Sequence, residues 1–170
     1  RIQSNHFADL QGLSIDLVAH RITGVWDYAL GDGVNPPRVS ENRRLDTANE
    51  AISAPQFAGD EFFMFGDAVQ VSGQADVGAI VDIYKVAPPQ DSTKDAVLKD
   101  RKGRDFRQYA PLDELLVSVP ADPKTGRFEI RLTGLKVGDR LSATATDPAF
   151  GTSEPAKNAV IRTIADPGTE

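Results

Sequence analysis

Residues 122–147 read DPKTGRFEIRLTGLKVGDRLSATATD, and this stretch decides the fold class. Asp122-Pro123-Lys124-Thr125-Gly126 has the chemistry of a turn: proline presets φ, and glycine accepts a positive φ. Arg127–Thr133 then alternates polar and apolar, which puts Phe128, Ile130 and Leu132 on one face of a strand. After Gly138, Arg140–Asp147 alternates again. Two half-buried strands bounded by turn chemistry point to antiparallel sheet.

The same pattern continues on both sides. Ala68–Gln74 alternates, with Val69 and Val71 on one face, and Gly78 interrupts the next run. Ala79–Val86 follows, with Val81 and Ile83 on one face and Asp82 and Tyr84 on the other. Leu115–Val119 is a short apolar strand, and Asn158–Ile164 is the last one. Helical periodicity is nowhere sustained beyond ten residues. Residues 57–170 are therefore predicted to form an all-β, antiparallel β-sandwich. Residues 1–56 differ. They hold one alternating run, Leu13–Leu17, then GDGVNPP at 31–37 and SENRRLD at 40–46. They are predicted to form an extended strand and a long loop, with one helical turn near 46–52. A loop that long is uncommon unless something holds it: an ion, a packed surface or a neighbouring chain. A polar insertion between Val86 and Leu115 is predicted to be an inter-strand loop with a short helix near 94–101.

Composition narrows the function classes. The 170 residues suit one domain with an appended segment, and they include no cysteine, so thiolate metal sites and thiol nucleophiles are excluded. A formal charge of −6 argues against broad nucleic-acid binding and is compatible with holding hard cations. No apolar run approaches a membrane span. The chain begins at Arg1, which leaves room for a removed or preceding segment that would have carried targeting signals.

Two stretches resemble known families. Thr125–Asn158 resembles the closing half of bacterial Ig-like modules: Gly138-Asp139-Arg140 matches the lead-in, Ala143-Thr144-Ala145-Thr146-Asp147 the strand, and Gly151-Thr152-Ser153-Glu154 the hairpin. Pro148-Ala149-Phe150-Gly151 departs from that pattern, while Val77–Tyr84 resembles the early strands of such modules. The N-terminal part resembles the last coil and exit loop of bacterial surface proteins with a right-handed parallel β-helix. The matching residues are Asn5, Gly12–Leu17, Asp32-Gly33-Val34-Asn35-Pro36, Asp46-Thr47-Ala48-Asn49 and Ala54-Pro55-Gln56-Phe57. The resemblance implies an Ig-like sandwich, an extracellular or cell-surface location, and an adhesion or envelope role without a common enzymatic activity. A single leftover coil cannot bury its own faces, so Arg1–His20 is expected to pack on the sandwich or to add its strand to another chain.

The candidate chemistry is sparse. Asp16, Asp32, Asn35, Asp46 and Asn49 are oxygen donors along the long loop and form a candidate calcium site; the competing reading is that they make turns and caps. Asp147 with Glu154 is a second, smaller carboxylate set. Trp26, Tyr28 and Tyr109, with Arg101, Arg104 and Arg107 of the basic insertion, are candidate contacts for a glycan or protein partner; the competing readings are packing aromatics and a solvated charged loop. Ser14, Asp16 and His20 contain triad residue types but lack a nucleophile elbow, so no catalytic residue is assigned. Asp60-Glu61 and Asp113-Glu114 read as solvated loop ends rather than a glycosidase pair. The expectation is a non-enzymatic structural or adhesion module of a secreted surface protein, contacting neighbouring chains or polysaccharide through its loops and N-terminal strand. The alternative is a carbohydrate-binding module of a secreted enzyme.

Overall fold

The structure is a computed structural model that describes residues 2–7, 13–18, 34–35, 41, 45–87, 106–109 and 111–164. Among the described residues the strands are β1 (Gln56–Phe57), β2 (Glu61–Phe65), β3 (Ala68–Gln74), β4 (Ile80–Val86), β5 (Leu112–Pro120), β6 (Arg127–Thr133), β7 (Arg140–Asp147), β8 (Gly151–Thr152) and β9 (Ala159–Thr163). A 3-10 turn at Phe106–Tyr109 precedes β5, and no α-helix occurs among the described residues. The fold is all-β, as the alternating runs predict.

Hydrogen bonding continues along β1-β3-β2-β9-β7-β4-β5, with β6 on β3 and β8 on β7. The strip folds over on itself. Phe62, Val69, Val71, Phe128 and Leu132 from one half meet Val81, Ile83, Val119, Leu141, Ala143 and Ile161 from the other in a single buried cluster. Each of these is the inward residue of a period-2 strand. Phe57 meets Phe62 and Phe128 edge-on, with ring centroids 5.6 and 6.3 Å apart, and each such pair adds about 0.5–1.5 kcal/mol beyond its buried area. Gly73 lies where this cluster leaves no room, since a Cβ there would sit 2.4 Å from the Gln56 carbonyl oxygen.

The pairing is not purely antiparallel: β2 runs parallel to β9, through Glu61↔Val160 to Met64↔Thr163, and this seam joins the two halves. The chain enters the sandwich where Gln56 faces Gln74 and leaves where Thr163 faces Met64, which itself faces Val69. These points lie toward opposite ends of β3, about 17 Å apart at the rise of a strand.

The outer face of β4 and β7 is also buried, although its residues are polar: Asp82, Tyr84, Ser142, Thr144 and Thr146. The described N-terminal residues account for part of this. Ile2 N–H donates to Thr152 Oγ1, Ser4 and Asn5 lie beside the Tyr84 phenol, and Phe7 N–H donates to the Leu112 carbonyl. The described residues of this segment pack on the sandwich, one of the two expected arrangements. Leu13–Leu17 is not a strand, contrary to its alternation. It finds no ladder; instead Ser14 Oγ accepts from Leu112 N–H, and Leu17 N–H donates to Glu154. The turn near 46–52 is also not right-handed helix, because Glu50 and Ala51 have φ of 52° and 57°. The helix expected near 94–101 lies outside the described residues.

Candidate functional site

The segment 152–154, at and just after β8, gathers four separate pieces of the N-terminal region, at Ile2, Leu17, Asn35 and Asn49. Glu154 is 2% exposed, and its carboxylate accepts from Leu17 N–H (3.2 Å) and from Asn35 N–H (2.6 Å). Asn49 is buried; its Nδ2 donates to the Thr152 carbonyl at 2.9 Å, and its Oδ1 accepts from Thr47 Oγ1 and Ala51 N–H. A charge-assisted hydrogen bond is worth about 1.5–3 kcal/mol. Glu154 thus fastens residues 17 and 35 of the N-terminal region to the sandwich.

The proposed metal ligands therefore divide. Asn49 is committed to its turn, and Asn35 joins Glu154 through its backbone. Asp16 and Asp46 are partly buried, and Asp32 lies outside the described residues. No three His, Asp or Glu side chains gather into a metal site among the described residues. Asp147 does not join Glu154 in a carboxylate pair: its Oδ1 accepts from Ala149 and Phe150 N–H, capping the turn before β8. Trp26, Tyr28, Arg101 and Arg104 lie outside the described residues. Arg107 falls in the 3-10 turn, its side chain outside the description.

Tyr109 is placed more usefully. It lines a cavity of about 340 Å³ between the N-terminal segment and the sandwich. Val34, Ile52, Pro55 and Phe57 contribute an apolar wall, while Asn35, Gln56, Asp60 and Lys157 contribute polar groups. Asp60 Oδ2 and Lys157 Nζ form an ion pair at 2.8 Å. The neighbouring Glu61 pairs separately with Arg162 at 3.0 Å, so the adjacent carboxylates serve different partners. The cavity draws on residues 17 to 157. β1 brings Gln56, the β2–β9 seam brings Asp60 and Lys157 together, and the 3-10 turn brings Tyr109.

Two carboxylates elsewhere are perturbed. Burial raises the pKa of Asp139, but the Lys85 ammonium at 2.9 Å and the Lys136 N–H outweigh it and hold the carboxyl below its ordinary value. Thr125 N–H, then its hydroxyl and Lys124 N–H, lower that of Asp122 in the turn before β6. Burial and then the Asp82 carboxylate raise the Tyr84 phenol, partly offset by the nearby Ser4 and Asn5 amides and the Thr144 hydroxyl. None of these groups lines the cavity.

No protein-family model matches this chain, and no curated protein matches it. A solved structure described as a biofilm associated protein, BSP domain, is similar at 15% identity with a TM-score of 0.45. The similarity covers 75% of this chain, which spans 18% of that one.

Proposed function

We propose that this chain is a non-catalytic structural or adhesion module of an exported surface protein. The observation that supports the reading is the path of the chain. It crosses the sandwich from one pole to the other, while the described N-terminal residues are fastened along one face by Thr152, Leu112 and Glu154. A module built this way holds its two poles apart as a spacer and leaves its loops for contact. The Ig-like and β-helix-exit resemblances in the sequence favour the same role. Strand donation by residues 2–7 and 13–18 has less support than loop contact, because their backbone already serves the chain's own sandwich.

The test is sedimentation of the purified chain, alone and with cell-envelope fractions, in calcium and again in chelator. Retention with an envelope fraction, or a mass above the 18.3 kDa of the chain, is the expected result. A monomer recovered in full from the supernatant of wall, membrane and polysaccharide fractions would remove the reading. Calcium dependence of either result would make the ion a component of the long loop.

A further inference from the structure

The cavity beside Tyr109 adjoins the point where the N-terminal segment is fastened, since Leu17, Asn35 and Glu154 also line it. Its chemistry is mixed. One wall is aliphatic and aromatic, through Ile52, Pro55 and Phe57, and the other side presents Gln56, Asp60, Lys157 and Tyr109. The charges on that side are matched, because Asp60 and Lys157 hold each other at 2.8 Å. The remaining carboxylate, Glu154, accepts from two backbone amides at the back of the cavity. An ionic ligand would have to compete with this solvent-facing pair or with the two amides on Glu154. A neutral ligand with several hydroxyls meets no such obstacle. It can donate to Asp60, accept from Lys157 and Gln56, and lay an apolar face on the opposite wall. At about 340 Å³ the cavity lies at the small end of the ~300–1,000 Å³ found for small-molecule sites.

We propose that this cavity binds an uncharged sugar unit, so that the module attaches to a neutral glycan through its terminal residue. The proposal rests on the reading of the chain as a surface-contact module and names what the contact is with. It places the glycan site at residues 56, 60, 109 and 157, which shares Tyr109 with the candidate contacts read from the sequence but none of their arginines.

The experiment is a titration of the full chain, followed by amide chemical shifts, with methyl glucoside, methyl galactoside, methyl mannoside and N-acetylglucosamine. Glucosamine and glucuronate are the charged controls. At least one neutral sugar is expected to shift the amides of Gln56, Asp60 and Lys157, with neither charged sugar binding as well. Asp60→Ala and Tyr109→Ala are each expected to weaken binding about tenfold, the loss of roughly one good hydrogen bond. Lys157→Gln frees the Asp60 charge and is expected to turn the preference toward glucosamine. Three results would overturn the proposal: no shift with any neutral sugar, shifts elsewhere on the surface, or binding unchanged in both alanine variants. If envelope association persists while sugar binding fails, the glycan assignment falls and the surface-module reading stands.

Discussion

Asp82 is 1% exposed at the centre of β4 and has no cationic partner among the described residues. Ser118 Oγ donates to its Oδ1, whereas its Oδ2 has no hydrogen-bond partner. Thr144, directly opposite on β7, is buried with its hydroxyl beside the Tyr84 phenol. A buried carboxylate without compensation is costly, and an orphaned polar atom costs about 1–3 kcal/mol. Asp82→Asn keeps an acceptor for Ser118 and adds an N–H aimed across the strand pair. It is therefore expected to raise the urea midpoint, by the equivalent of about 1–3 kcal/mol. An unchanged or lower midpoint would show that the acid is already satisfied by water. Gly126 is a second residue whose identity is dictated locally. Its φ is 73°, and a Cβ would come within 2.3 Å of the Ala75 carbonyl oxygen, so the turn read from Asp122–Gly126 tolerates no side chain there.

At the scale of elements, the N-terminal segment is held at a few points rather than by a ladder. Glu154→Ala removes the acceptor for Leu17 and Asn35 N–H together. Hydrogen exchange at those two amides is expected to accelerate at least about tenfold while β4 and β7 keep their protection, as expected for a locally opening unit. Equal exchange in both proteins would mean that other contacts fasten the segment. The strands that were legible in the sequence are those whose apolar core face alternates with a polar face, whether that face meets water or, as in β7, is itself buried. Ala68–Gln74, Arg127–Thr133 and Arg140–Asp147 begin and end where alternation places them. β2 was not legible, because Phe63 and Phe65 are 42% and 65% exposed and Glu61–Phe65 therefore reads as unpatterned. Leu13–Leu17 misled in the opposite sense: it alternates, but alternation reports two faces and says nothing of a partner strand. The cavity was largely invisible for a related reason. Asp60 looked like a solvated loop end, and only the β2–β9 pairing brings it to Lys157, 97 positions away. Of the cavity-lining residues, Tyr109 reads in the sequence as a candidate contact for a glycan or protein, whereas Asn35 and Glu154 read as candidate cation ligands.

Across the whole molecule, electrostatics and topology set the response to acid and to force. The Asp139 carboxyl has a folded-state pKa below its ordinary value, so the stability it contributes is full above about pH 4 and is lost as the pH falls through the folded-state value. Asp139→Asn should be less stable than the parent at neutral pH, and the two urea midpoints should converge on acidification. Midpoints that stay parallel would show that the Lys85 pair contributes nothing to the acid limb. The parallel seam has a different consequence. β2 is next to the point where the chain enters the sandwich, and β9 is the strand by which it leaves. Tension applied through the two ends of the sandwich pulls these neighbours in opposite directions along their length. The four residue pairs from Glu61↔Val160 to Met64↔Thr163 then share the load in shear and must yield together, whereas a hairpin pulled from its open end would unzip one bond at a time.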